Sequence, residues 1–177
     1  MKKLLVAFLS VAPSLAFAAP EVSSIKISNG VTQVDFVGDG VLDLIISGHR
    51  ENFNAHSFEV ISFYIPVENR WDIVPIFENG KEKSQISVSG GADCLLHDFR
   101  LLMGGSSNPA TLITADRDMG ESYIDQAKVV FTYYTLVHRE EVGSPVYGFE
   151  KSGSKIAKVK YCDVGDAFKN ELGIGAR

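Results

Sequence analysis

The stretch Lys128-Val-Val-Phe-Thr-Tyr-Tyr-Thr-Leu-Val-His138 decides the fold class of this 177-residue chain. β-Branched and aromatic side chains dominate it, and these residues favour extended backbone. Because successive side chains of a strand point to opposite faces, Val129 and Phe131 lie on one face and Val130 and Tyr134 on the other. Apolar residues on both faces predict a strand that is covered on both sides, either at the centre of the fold or at a subunit contact.

Seven further stretches have the same composition and are separated by Gly, Asn, Asp and Pro, which favour turns. They are residues 31–37, 42–47, 57–65, 71–77, 84–89, 94–102 and 155–161. Eight short strands predict an all-β fold, a sandwich or a barrel built from antiparallel sheets.

The tail of the chain is the best candidate for a helix. Asp163 can cap its first turn, Val164 and Phe168 share one face, and Gly173 suits the position after its last turn. A shorter helical turn is predicted around residues 122–126. We therefore expect a β-sandwich with short terminal α-helices.

The first eighteen residues have the pattern of a secretory signal peptide. Two lysines precede the apolar run 4–11, and Ala16-Phe17-Ala18 is the small-x-small pattern that signal peptidase cuts. The apolar run is shorter than the roughly 20 residues that span a bilayer. The sequence therefore predicts a signal peptide at residues 1–18 and one periplasmic domain at 19–177, without membrane insertion.

The charge of the chain argues against nucleic acid as a partner. The formal net charge is -5, and removal of Lys2 and Lys3 with the signal peptide lowers it to about -7. Contacts to phosphates need a basic stripe, and the sequence has none.

Cys94 and Cys162 are the two cysteines of the chain. An even count in an exported domain favours one intramolecular disulfide, with two buried free thiols as the alternative. Because the chain has no C-x-x-C motif, we do not expect a redox centre.

The segment Asp35-Phe-Val-Gly-Asp39-Gly-Val-Leu-Asp43 resembles a calcium-binding loop. Such loops supply oxygen ligands from positions one, three, five and nine and a backbone carbonyl from position seven. Asp35, Asp39 and Asp43 occupy three of these positions, and Val41 could supply the carbonyl, whereas Val37 cannot be a ligand. The pattern predicts bound calcium or sodium, while the alternative is an ordinary Asp-Gly hairpin turn.

The segment 48–56 is a second candidate site, because it places several polar and ionisable side chains in a connection between two strands. The candidate ligand-binding residues are His49, Arg50, Glu51, Asn52 and His56. The alternative is a solvated turn in which Phe53 is inserted into the core. The histidine spacing does not match a zinc site.

Short matches to serine enzymes that recognise penicillin occur at Ser23-Ser-Ile-Lys26, Ser106-Ser-Asn108 and Lys151-Ser-Gly153. Their context contradicts that assignment, because Ser23 lies near the start of the mature chain and not at a buried helix. We therefore expect no enzymatic activity and no catalytic residue.

Longer strings of the chain resemble the carbapenem intrinsic resistance family of the CarG type. They include Asp39–Leu44, Arg50–Phe58, Ser62–Ile65, Gly91–Cys94 and Tyr161–Asp163. The resemblance implies a periplasmic β-sandwich that forms a homodimer and protects a carbapenem producer from its own antibiotic without hydrolysing it. It also implies a cation site, which maps onto Asp35, Asp39 and Asp43.

The resemblance leaves open whether the protein binds a carbapenem or a cell-wall enzyme. The implied fold is similar to that of periplasmic inhibitors of invertebrate-type lysozyme, which act through an S-G-x-Y loop. Here the three Ser-Gly pairs are followed at that position by Arg50, Ala92 and Lys155. Inhibition of a lysozyme or another cell-wall enzyme is therefore the alternative function.

Overall fold

The computed structural model describes residues 24–104 and 109–177. The predicted signal peptide, Ser23 and Ser106 lie outside these residues. Within them the chain forms eleven strands followed by one short helix and a π-helical turn. The elements are β1 (Gly30–Val34), β2 (Asp43–Arg50), β3 (Phe58–Val67), β4 (Arg70–Ile73), β5 (Ile76–Glu78), β6 (Lys81–Lys83), β7 (Ile86–Gly90), β8 (Leu95–Leu102), β9 (Thr111–Arg117), β10 (Val129–His138), β11 (Tyr147–Ile156), α1 (Val164–Ala167) and the π-helical turn Phe168–Leu172.

The strands form one continuous ladder in the order β1-β2-β3-β7-β8-β9-β10-β11-β5-β6, with β4 paired to β3. Neighbours are antiparallel, except that β5 runs parallel to β11, where Ile76 pairs with Phe149. The prediction of an all-β fold is therefore confirmed, with a short helix near the end of the chain. Neither helical segment of the described residues is long and apolar enough to cross a membrane.

The ladder bends at β7 and folds back over itself. Ile86 to Val88 pair with β3, whereas Ser89 and Gly90 pair with β8, and the register shifts between these last two residues. As a result β3 of the first layer faces β11 of the second. Phe63 and Phe149 make an edge-to-face contact there, with ring centroids 5.3 Å apart.

Two apolar clusters stabilise the fold, one on each side of the second layer. The larger cluster lies between the layers and contains Phe36, Phe63, Phe99 and Phe149, all fully buried. The smaller one lies under the C-terminal segment, where Phe131 of β10 meets Phe168 at 5.4 Å.

Strand β10 contributes to both clusters. Val129 and Phe131 pack in the smaller one, and Tyr134 and Leu136 in the larger one. The expectation of a strand covered on both sides is therefore confirmed from Phe131 to Leu136, at the centre of the second layer, whereas Val130 is exposed.

The C-terminal segment is tied to β8 by covalent and polar contacts. The predicted Cys94–Cys162 disulfide is present. Asp163 caps α1 by accepting from the Gly165 amide at 2.6 Å, and its second oxygen accepts from the Leu95 amide at 2.8 Å. Gly173 adopts the left-handed conformation at the end of the π-helical turn, with φ of 70°.

A buried charge network holds the last residues against the same strand. Arg100 donates to Asp98 at 2.5 Å and to the Gly175 carbonyl at 2.6 Å. Arg177 donates to Asp98 at 3.1 Å and to Glu59 at 2.5 Å, which links β8 to β3. Because Asp98 and Arg100 are almost fully buried, each charge needs its partner to offset desolvation.

Several predicted boundaries are wrong. The predicted strand 155–161 overlaps β11 only at Lys155 and Ile156, since β11 runs from Tyr147 to Ile156. Its first part was not predicted, because Gly148 and Gly153 weaken the strand signal there. The prediction for 71–77 merges two strands, β4 and β5. Strands β6 and β9 were not predicted.

The predicted helical turn at 122–126 is a β-turn. The Asp125 amide donates to the Ser122 carbonyl at 3.1 Å. The Asp125 carboxylate accepts from the amides of Glu121 and Ser122, which favours the turn over a helix.

We expect Gly90→Ala to destabilise the protein strongly, because an added Cβ would lie 2.6 Å from the Leu95 Cα and would also meet the Cys94 carbonyl. Backbone atoms on the neighbouring strand cannot move aside as a side chain can. Urea unfolding should show that the free energy of unfolding falls by about 2–3 kcal/mol. Gly48→Ala is the matched control in β2, where nothing lies within 4 Å of the added atom. Equal losses in the two variants would contradict the role of Gly90.

Candidate functional site

The predicted cation loop is held together by bonds to its own backbone. Asp35 accepts from the amides of Gly38 at 2.6 Å and Gly40 at 2.8 Å, one on each oxygen. Asp39 accepts from the Val41 amide at 2.9 Å. These two carboxylates therefore act as turn-forming groups that stabilise the connection between β1 and β2.

Asp43 lies at the start of β2 and is almost fully buried. One of its oxygens accepts from the amides of Phe36 at 2.9 Å and Val37 at 3.1 Å. Burial raises the pKa of this carboxyl to about 6, and nearby Asp39 and Asp35 add to the rise, while the two amide bonds oppose it.

Within residues 24–104 and 109–177, no group of three or more His, Cys, Asp or Glu side chains is arranged to hold a metal ion. The amide bonds explain the spacing of Asp35, Asp39 and Asp43 without a cation. Bound calcium or sodium at these residues and Val41 therefore stays a prediction.

The predicted ligand loop is also bonded to itself. Glu51 accepts from the Ser57 hydroxyl at 2.6 Å and from the Phe53 amide at 2.7 Å, and the Ser57 bond is the main cause of its lowered pKa. The Asn52 amide group donates to the His56 carbonyl at 2.9 Å. His49 lies 3.5 Å from Glu51. Many polar groups of this segment therefore form hydrogen bonds within the segment and stabilise its own turn.

The remaining residues of this loop point to different neighbours. The Arg50 guanidinium lies over the Phe58 ring at 5.2 Å. The His56 ring stacks on Tyr123 at 4.5 Å, and its Nδ1 lies 3.3 Å from the Gly90 carbonyl oxygen. The predicted site residues thus do not surround one common point.

Phe53 is 94% exposed at the tip of this loop, with a φ of 56°. The alternative in which it enters the core is therefore wrong. The bonds of Glu51 and Asn52 turn the loop outward and leave the ring in solvent.

A groove of about 530 Å³ lies where the inner face of the second layer becomes polar. Its floor comes from β8 to β11, and its walls from the β5–β6 hairpin and the start of β7. The ionisable and hydroxyl side chains along the groove include Glu78, Lys83, His97, Thr114, Asp116, Thr132, Tyr134 and Lys151.

One end of the groove contains a histidine–aspartate pair. Asp116 lies opposite His97 on the neighbouring strand and meets its Nδ1 at 2.8 Å. The other oxygen of Asp116 accepts from the Thr114 hydroxyl at 3.2 Å. The threonine proton is therefore directed to the carboxylate and not to the imidazole.

The other end of the groove contains two ammonium groups around one carboxylate. Lys83 donates to Glu78 at 2.8 Å, while Lys151 lies 3.6 Å from the other oxygen of Glu78. Lys83 is the largest cause of the lowered pKa of Glu78. Tyr134 lies beside them, and burial together with Glu78 raises the pKa of its phenol.

The sequence analysis did not find this groove. Its residues come from seven separate strands, and none forms a motif with its chain neighbours. The available signal is the alternation along the strands, where Thr114 and Asp116 share a face of β9 with buried Leu112, and Thr132 shares a face of β10 with buried Tyr134. The alternation indicates a shared polar surface only once the register that aligns these strands is known.

Comparisons with known proteins give a family and a fold. The family model described as carbapenem resistance protein CarG-like matches residues 27–170. The crystal structure of CarG is similar with a TM-score of 0.72 and 24% identity, covering 88% of this chain and 100% of that one. At this identity the likeness shows the fold. No curated protein matches the chain.

We expect Asp43→Asn to weaken the pH dependence of stability between about pH 4 and pH 6. Since the raised pKa makes the folded state bind this proton more tightly than the unfolded state does, wild-type stability falls as pH rises through this range. The asparagine oxygen can still accept both amide bonds but does not titrate. Between pH 4 and pH 7 the free energy of unfolding of the variant should rise relative to that of the wild type by up to about 2–3 kcal/mol.

Denaturant unfolding at several pH values measures this difference. Asp118→Asn, at an exposed carboxyl, is the control and should follow the wild-type curve. Parallel curves for wild type and Asp43→Asn would contradict the assignment.

Proposed function

Because the chain belongs to the CarG-like family of carbapenem resistance proteins, we propose that it protects bacteria by binding the drug reversibly, without hydrolysing the β-lactam ring. We further propose that it does so in the periplasm, after export by residues 1–18. The observation that carries the binding proposal is the groove between the β5–β6 hairpin and the second layer.

The size and lining of the groove suit a small ligand. A volume of about 530 Å³ lies within the range of small-molecule sites, roughly 300–1,000 Å³. Ile76, Ile86 and Val130 supply apolar surface, and Thr114 and Thr132 supply hydroxyl groups for a carbonyl. A carbapenem offers complementary features, a carboxylate, a ring carbonyl and an apolar bicyclic body.

The arrangement of the histidine pair supports binding over catalysis. A serine or threonine nucleophile needs its proton accepted by the adjacent base. Here the Thr114 hydroxyl donates to one oxygen of Asp116, and the His97 ring is paired with the other oxygen of the same carboxylate. The imidazole therefore does not accept the threonine proton. This geometry fixes side chains in the groove and does not prepare a nucleophile.

The exposed Phe53 favours a second candidate function, inhibition of a lysozyme or another cell-wall enzyme. A phenylalanine at a loop tip that is 94% exposed is the kind of side chain that inserts into a partner's cleft. In that case the β2–β3 loop would be the functional surface and the groove would be empty of drug.

Calorimetric titration of the mature protein with a carbapenem distinguishes these functions, together with an ultraviolet assay of ring opening on the same sample. We expect saturable binding and an intact ring. Sustained turnover would overturn the non-hydrolytic proposal, and absence of binding would overturn drug binding. Loss of protection in Phe53→Ala, with drug binding unchanged, would favour the cell-wall enzyme.

Resistance in cells adds an independent check. Protection should survive Ser23→Ala and Ser106→Ala, because neither serine is proposed as a nucleophile. Loss of protection in either variant, while the protein is still produced and exported at the wild-type level, would contradict the proposal.

The cation and the homodimer are further proposals. If calcium or sodium binds at Asp35, Asp39, Val41 and Asp43, a chelator or added calcium should shift the melting temperature, and Asp39→Ala should abolish the shift. Sedimentation of the purified protein tests the dimer. An unchanged melting temperature or a monomeric mass would remove the respective proposal.

A further inference from the structure

We propose that the end of the groove formed by Glu78, Lys83 and Lys151 is a carboxylate-binding subsite, in which Lys151 forms the ion pair with the ligand. The inference rests on the proposed function in that a carbapenem supplies the carboxylate. The chemistry itself requires only a small molecule that carries one such group.

Lys151 is the ammonium that can turn to a ligand at low cost. Lys83 already donates to Glu78 at 2.8 Å, within ordinary hydrogen-bond distance. Lys151 lies 3.6 Å from Glu78, which is beyond that distance for a direct bond. Its ion pair is loose and partly exposed, and such pairs contribute little to stability.

The local charge favours an anion at this end. Two ammonium groups flank the single carboxylate of Glu78, so one positive charge remains in excess. Asp98, which also lines the groove, is balanced from the other side of β8 by Arg100 and Arg177. Its charge therefore does not cancel that of Lys151.

The surroundings of Lys151 strengthen a pair formed there. Tyr134 lies directly opposite Lys151 on the neighbouring strand and is only 3% exposed. Ile76 forms part of the adjacent wall. Apolar and aromatic surface lowers the local dielectric, so that an ion pair in the groove is stronger than one in open solvent.

The opposite end of the groove sets the direction of the ligand. Asp116 is a carboxylate, and a ligand carboxylate beside it would be repelled. A molecule with one carboxylate should therefore place it next to Lys151 and extend its uncharged part over Thr132 toward His97.

The test compares Lys151→Gln with the control Lys160→Gln, which removes the same charge from an exposed site outside the groove. Calorimetry is performed with a carbapenem and with its methyl ester, in which the carboxylate charge is absent. We expect Lys151→Gln to weaken binding of the acid about tenfold or more, because a charge-assisted bond is lost. Lys160→Gln should bind like the wild type, and Lys151→Arg should restore most of the affinity.

The ester separates an ion pair from a general effect on the groove. It should bind the wild type and Lys151→Gln with the same weakened affinity. Tight binding of the acid by Lys151→Gln, with unfolding curves that match the wild type, would overturn the subsite. Equal affinity of acid and ester for the wild type would overturn it as well.

A failure of the proposed function is distinguishable from a failure of the subsite. If the wild type does not bind the carbapenem, benzoate is titrated by NMR as a simple carboxylate. Chemical shifts at Lys151 and Tyr134 that disappear in Lys151→Gln would support the subsite while the drug proposal fails. Absence of such shifts would overturn both.

Discussion

The bend of β7 at Ser89 and Gly90 is the constraint on which the two-layer structure depends. A strand that pairs with β3 in its first half and with β8 in its second half must change direction within one register shift. Gly90 permits that change because the backbone around Cys94 and Leu95 lies where a side chain would be. The disulfide and the Asp163 cap fasten the same corner to the C-terminal segment. The bend at Ser89 and Gly90, with its contacts to the C-terminal segment, therefore positions the two layers and the terminal helix relative to one another.

The inner face of the second layer, which faces the first layer, changes from apolar to polar along its strands. The groove lies on the polar part of this face. In β9, Leu112 faces the core, Thr114 marks the transition and Asp116 lines the open end. In β10, Leu136, Tyr134 and Thr132 follow the same order. Since the β5–β6 hairpin covers only part of this polar surface, the remainder is left as a cavity with ionisable residues at both ends.

The sequence predicts those features that depend on neighbouring residues. The alternation in β10 identifies a strand covered on both sides, Asp163 identifies a helix start, and the two cysteines identify their own bond. The spacing of Asp35, Asp39 and Asp43 is ambiguous, because a carboxylate that accepts backbone amides and one that binds a cation occupy similar positions in a loop. The groove could not be predicted, because the meeting of Glu78 with Lys151 or of His97 with Asp116 depends on strand order. The family resemblance identified the class of protein. The groove could be located only from the order and register of the strands.

The parallel pair of β5 and β11 has a bearing on how the molecule reaches its native state. β5 follows the strands of the first layer along the chain, yet its partner is made only after most of the domain has been synthesised. Contacts between residues so distant in sequence carry a large loop-closure entropy and form late, which makes folding slow. The hairpin wall that β5 and β6 provide should therefore be among the last parts to assemble. A partly folded chain would contain the part of the floor formed by β8 to β10 without β11 and the wall that pairs with it. The ability to hold a small ligand would therefore arise only with the completed fold.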